Sequence, residues 1–316
     1  FRAVLLIMVG RALFTVFISH LLAKRPYKLA WEQSHVNKMM TFGWPLLVNS
    51  FLMFASQQGD QMIIGAAFSL KELATYSIAF NLASVPFYIF GQVGSSLMLP
   101  SLASIQDDPI KFKCHYQRCL EVSVVVALML VGPLIVAGDD LVHLLYGTKY
   151  SGVGLLMNIF GIMVALRFFR LTSSVAAMSK ADTVNLLFGN LARAASLPLA
   201  LMFVVFFTPD ILMVAACGIF GEVLAIMVTV MRLRKRQGIA MSSNTRPLLF
   251  LVGWITIAMI EQSWLCNNDA VWYGAAATVA LWLFGGILSL YLFPDLMLIC
   301  RQAFSALCAS TLCSRR

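Results

Sequence analysis

Asp60, Arg167, Arg170, Arg193 and Glu222 stand inside long apolar stretches of the sequence. A charged side chain at a bilayer centre costs at least about 2.5 to 3.5 kcal/mol to insert, so such residues face protein or water rather than lipid. Arg167 and Arg170 are three residues apart, on adjoining parts of one helical face, and Ser174 follows on the same stripe. A guanidinium presents a planar fork of N–H donors that matches phosphate oxygens in pairs. With that pair in the inner half of its span and Arg193 near mid-depth, the three cations would share one inner-half cavity suited to a diphosphate. A plainer arrangement stays open, in which Arg167 and Arg170 reach lipid head groups and Arg193 pairs with Glu222 as structural glue.

A second polar stripe is formed by Asn49, Ser56 and Asp60 at helical spacing. It lines either a cavity or a neighbouring helix. Asp60 and Glu222 are therefore candidates for coupling to a proton or sodium ion as well as for structural hydrogen bonding. Nothing else suggests catalysis: the sequence has no nucleophile elbow, no metal quartet and no phosphate-binding loop followed by Lys. No Cys and His spacing resembles a zinc site, and neither a metal nor a cofactor is expected.

Positioning these residues requires long apolar helices, and the composition supplies them. Of 316 residues, 60% are hydrophobic and 12% charged, against about 25% charged in soluble domains. The net charge of +9 comes from basic residues in short clusters between apolar runs, as in membrane-flanking loops, so a nucleic-acid partner is not expected. A bilayer core needs roughly 20 apolar residues per helix. Nine stretches qualify, near 3–23, 42–68, 74–104, 119–138, 152–178, 183–207, 210–231, 247–264 and 271–293. Pro86, Pro100, Pro133 and Pro198 fall inside them, each a kink or a hinge. The fold class expected is an all-α, polytopic transmembrane helix bundle of about nine spans.

Lys and Arg are distributed unevenly between alternate loops. One set carries Lys24, Arg25, Lys28 and Lys38, then Lys111, Lys113 and Arg118, then Lys180, then the cluster from Arg232 to Arg246, and finally Arg301, Arg315 and Arg316. The other set carries only Lys71 and Lys149. The first set is expected to be cytoplasmic, together with the C-terminus. Most cysteines fall on that side, so no disulfide is expected. Residues 24–41 mix Lys with Leu29, Trp31 and Val36, which reads as an amphipathic segment in the inner interface or as a simple basic loop. Because the chain opens on Phe1 inside an apolar run, an N-terminal portion is expected to be missing.

The run FGWPLLVNSFLMFASQQGDQMIIGAAFSLKELATYSIAFNLASVPF, from Phe42 to Phe87, resembles the central signature of bacterial polysaccharide exporters. There a Phe-Gly-hydrophobic-Pro start opens a helix with an Asp shortly before Ile-Ile-Gly, and a helix with Tyr and Ala follows, matched by Tyr76 and Ala79. LPSLASIQDDPIKFKCHYQRCLE resembles an inner loop of these proteins and DDLVHLLYGTKYSG an outer loop. The similarity covers roughly residues 42–200. It is to the polysaccharide transporter branch of the multidrug/oligosaccharidyl-lipid/polysaccharide flippase superfamily, of the O-antigen and colanic-acid exporter type.

The resemblance implies two six-helix lobes around a cavity and transfer of undecaprenyl-diphosphate-linked oligosaccharide between leaflets of the bacterial cytoplasmic (inner) membrane. On that template residues 1–23 are the last helix of a mostly missing N-lobe and 24–41 link the lobes. Residues 42–236 form a six-helix C-lobe, and 237–316 an accessory helix pair and cytoplasmic tail. The substrate-binding candidates are Arg193, Arg167, Arg170 and Asn49. A multidrug or cation antiporter of the same superfamily is the alternative, and it would favour acidic cavity residues. A membrane-embedded glycan polymerase or ligase would need large outer loops, whereas those here run to about a dozen residues.

Overall fold

The structure, a computed structural model, describes residues 2–22, 32–150, 152–207, 210–239 and 242–268, together with 282, 284–289 and 291. Every regular element among them is helical: α1 (Arg2–Leu22), α2 (Gln33–Ala67), α3 (Leu70–Ala103), α4 (Pro109–Val136), α5 (Gly138–Tyr146), α6 (Gly154–Ser179), α7 (Thr183–Ala194), α8 (Ser196–Phe206), α9 (Ile211–Gln237) and α10 (Ser242–Asn268), with one short 3-10 turn at Thr148–Tyr150. Among the described residues five helices are long and apolar enough to cross a membrane: α3, α4, α6, α7 and α8 taken together, and α9. The molecule is an all-α polytopic bundle. Two compact units are distinguished, Phe1–Trp44 and Pro45–Arg316, and the residues of interest lie in the second.

Helix ends are set by local chemistry. Ser69 opens α3 with a reciprocal capping box, its Oγ accepting from the Glu72 backbone N–H while the Glu72 carboxylate accepts from Ser69 N–H. Asp108 caps α4 ahead of Pro109 at the first helical position. Asp210 caps α9, which ends at Gly238 in the left-handed conformation. The apolar tracts thus end where polar caps and turns are available.

Three departures from the sequence expectation stand out. Helix α2 starts at Gln33 rather than near 42, because nothing between Gln33 and Phe42 breaks a helix. The stretch read as an outer loop contains α5, whose turn is held by Asp139 Oδ1 accepting from the backbone N–H groups of Gly152 and Val153 at 3.0 and 2.8 Å. The expected single helix at 183–207 is broken at Ala195, since Pro198 has no N–H to bond the Ala194 carbonyl. Pro86 and Pro100, by contrast, are carried within one uninterrupted α3. Most of the ninth apolar stretch, part of the linker and the tail after Tyr291 lie outside the described residues.

Helix α6 is the centre of the bundle, buried through most of its length from Leu156 to Ser179. It separates two apolar cores. One gathers Phe112, Leu120, Val164 and Phe168 with residues of α9 and α10, and the other gathers Ile64, Tyr76, Phe80, Met157, Phe160 and Val214. Because most of α6 is buried, its buried polar side chains must be satisfied by other parts of the protein.

One such arrangement anchors α10. Ser173 of α6 lies 2.9 Å from the Tyr116 hydroxyl of α4, which donates to Asn244 Oδ1 of α10 at 2.7 Å. Tyr116 is fully buried. Tyr116→Phe is expected to lower stability by about 1 to 3 kcal/mol, because the Asn244 carbonyl and Ser173 hydroxyl lose a partner in a dry site. Thermal unfolding of the full-length protein in detergent reads this, and an unchanged midpoint would show the triad to be dispensable.

Candidate functional site

Three arginines from two helices converge on one carboxylate. Glu222, fully buried on α9, is reached by Arg167 Nε of α6 at 2.7 Å and Arg193 Nε of α7 at 2.9 Å, both at Oε1. Arg170 Nε of α6 lies 3.3 Å from Oε2. Arg167 and Arg170 reach the same partner because three residues along a helix place side chains on neighbouring ridges of one face. Arg193 joins them from the last turn of α7, just ahead of the break at Ala195.

The surroundings hold the arginines from several sides. Arg167 also donates to Met163 Sδ at 3.4 Å and lies over the Phe80 ring, 5.6 Å from its centroid. Arg170 donates to Asn190 Oδ1 at 3.1 Å, and Asn190 Nδ2 donates to Asn49 Oδ1 at 2.8 Å. The cluster is therefore tied to α2 through an amide relay. Asp60 is buried on α2, its Oδ2 accepting from the Tyr76 hydroxyl at 3.3 Å, while Oδ1 is buried without a hydrogen-bond partner. Arg193 and Arg167 act on Asp60 through space.

All six residues singled out from sequence, Arg167, Arg170, Arg193, Asn49, Asp60 and Glu222, thus fall in one region of α2, α6, α7 and α9. Arg167, Arg170, Arg193 and Asn49 are joined to one another through Glu222 and Asn190. Asp60 makes its hydrogen bond to Tyr76 instead. Ser56, the middle of the α2 stripe, is buried with them. Two participants escaped the sequence reading, Asn190 and the Tyr76 hydroxyl. Asn190 carried a usable signal: it stands three residues before Arg193 and so shares its face.

Chemically, the arrangement is a cationic centre in an apolar bundle. Three guanidiniums face two carboxylates, so the buried groups carry a surplus of positive charge with many N–H donors aimed inward. An anion with several oxygens is the natural complement.

Fold and site define a multi-pass helical membrane protein with a buried basic centre. Residues 2–154 match the family model described as "Polysaccharide biosynthesis protein". Curated relatives include an "Uncharacterized membrane protein in cps region" of Klebsiella pneumoniae, 22% identical over 156 residues, which cover 48% of this chain and 32% of the relative. Another is the "Lipopolysaccharide biosynthesis protein WzxC" of Escherichia coli (strain K12), 21% identical over 139 residues, 44% of this chain and 28% of the relative. The chain spans about a third of the length of these curated relatives. No solved structure matches. The matches support a polysaccharide transporter family, in agreement with the resemblance carried by Phe42 to Phe87. The family match ends before Arg167, so the basic centre stands on its own geometry.

Proposed function

We propose that this chain is the C-terminal lobe of a flippase that moves a lipid-linked oligosaccharide, with an undecaprenyl-diphosphate carrier, across the bacterial inner membrane by alternating access. The observation that carries the reading is the convergence of Arg167, Arg170 and Arg193 on the single carboxylate of Glu222. Glu222 acts as an internal stand-in for the substrate anion. When a diphosphate arrives, its oxygens replace the carboxylate as acceptors and the surplus charge makes the exchange favourable. Asn49 and Asn190 orient Arg170 in both states.

In this reading residues 1–23, 24–41, 42–236 and 237–316 are the end of the N-lobe, the linker, the C-lobe, and the accessory pair with its tail. The Lys/Arg asymmetry supports a cytoplasmic C-terminus. A cation antiporter is the second reading, favoured by the unpartnered Oδ1 of Asp60, the candidate for proton or sodium coupling. Three arginines against two carboxylates weigh the centre toward an anion.

The test is complementation of cells lacking their exporter by the full-length protein, with membrane abundance measured in parallel. Arg193→Ala is expected to abolish export at near-normal abundance, because Glu222 keeps two cationic partners. Arg193→Lys should retain a fraction, since an ammonium has charge without the planar fork. Arg167→Ala and Arg170→Ala should give smaller losses. Normal export by Arg193→Ala at normal abundance would remove Arg193 from the substrate path.

A further inference from the structure

Helix α5 divides its side chains between two faces. At about 100° per residue, Leu141, Val142, Leu144, Leu145 and Tyr146 fall in one sector about 200° wide, and Asp139, Asp140 and His143 fill the remainder. The protein covers only part of the apolar sector. Val142 is 0% exposed, and Gly138 stands so close to α6 that a Cβ there would lie 2.7 Å from Met157 Cβ. Leu144, Leu145 and Tyr146 are 79%, 58% and 46% exposed. The helix cannot roll to hide them, because Gly138 is against α6 and Asp139 Oδ1 holds the backbone N–H groups of Gly152 and Val153 just ahead of it.

The neighbours of α5 in the chain fix what lies against the uncovered side. It joins α4 to α6, and both are long and apolar enough to cross the membrane. Helix α4 ends at Val136 and α5 begins at Gly138, about 3 Å further on, so α5 starts close to the plane where the apolar run of α4 leaves the hydrocarbon. A helix at that level with one apolar and one charged face lies in the interface with its apolar side lowered into the acyl boundary. Tyr146 and Tyr150 are of the aromatic type enriched there, and Lys149 lies over the Tyr150 ring, 5.8 Å from its centroid. A second copy of the chain is a poorer fit. A stable protein interface buries about 800 Å² per partner, far more than three side chains at the end of one short helix provide.

We propose that α5 is an interfacial helix whose Leu144, Leu145 and Tyr146 insert among the lipid acyl chains of the leaflet at that end of the bundle, with Asp140 and His143 in the head-group water. The Lys/Arg asymmetry makes that leaflet the outer one. Insertion holds the level of the turn that starts α6, the helix carrying Arg167 and Arg170. The contact with lipid is independent of what the basic centre at Glu222 binds.

The test uses the full-length protein in lipid vesicles, with its other cysteines replaced and a bimane dye on one introduced Cys. A dye at Leu145→Cys should be quenched about threefold more than one at Asp140→Cys by lipids carrying a nitroxide about 5 to 10 Å below the phosphates. Iodide on both sides of the bilayer should give the reverse order. Leu144→Cys should follow Leu145→Cys, and takes its place if thermal unfolding shows that variant to be unstable. Two results would overturn the proposal. Iodide quenching at Leu145 equal to that at Asp140 means that the apolar side stands in water, and protection of Leu144 and Leu145 from both quenchers means that protein covers it.

Discussion

Glu222→Gln is expected to cost about 3 to 5 kcal/mol of stability, the range for stripping one partner from a buried ion pair. The geometry makes this loss asymmetric. Removing one arginine leaves Glu222 with two cationic partners, whereas removing its charge leaves Arg167, Arg170 and Arg193 together in an apolar interior with Asp60 as the remaining carboxylate. An amide can still accept one hydrogen bond from Arg167 Nε, but it cannot offset three charges. Glu222→Gln should therefore lower both the thermal midpoint in detergent and the amount of full-length protein in the membrane. Arg193→Gln should lower either only slightly. Combining the two changes should restore part of the loss, since one fewer cation remains unbalanced, and a double-variant cycle measures that coupling. Equal stability of wild type and Glu222→Gln would mean that water or lipid already solvates the arginines, and the picture of a dry cationic centre would fail.

The sequence identified these charged residues because each is costly in an apolar helix, a judgement that needs no tertiary information. It did not show that all three arginines share Glu222, because Arg167 and Glu222 are 55 residues apart and meet only through the packing of α6 on α9. Asn190 and the Tyr76 hydroxyl were missed for a related reason: uncharged polar groups are common in transmembrane helices and become informative only once their partners are known. The long helices were legible from apolar length alone. Their irregularities were less so. The break at Ala195 follows from Pro198, yet Pro86 and Pro100 stay inside a continuous α3, so a proline in the sequence does not by itself distinguish a break from a tolerated kink. The nine-residue amphipathic helix α5 was too short to separate from a loop by periodicity.

Gly221→Leu is expected to disable the protein through the backbone of that break. Gly221 immediately precedes Glu222 on α9 and faces the junction of α7 and α8. A Cβ there would lie 2.8 Å from the Arg193 carbonyl oxygen and 2.8 Å from Ser196 Cβ. A side chain can rotate away from such a contact, but a carbonyl at a helix break moves only with its helix. Small residues at such crossings let helices approach closely, and the approach here is what brings Arg193 within 2.9 Å of Glu222. Even Gly221→Ala should therefore push α7 from α9 and lengthen that ion pair. Overpacking alone costs about 1 to 3 kcal/mol, and Gly221→Leu adds the weakened charge balance. Its effect on export should approach that of Arg193→Ala, with a lower thermal midpoint besides. Gly253 on α10 is the control, because a Cβ there meets nothing within 4 Å, and Gly253→Ala should be neutral or stabilise by up to about 1 kcal/mol through helix propensity. Unfolding midpoints and export for Gly221→Ala, Gly221→Leu and Gly253→Ala decide the matter: if Gly221→Ala behaves like Gly253→Ala, the close crossing of α9 with the α7–α8 break does not set the position of Arg193.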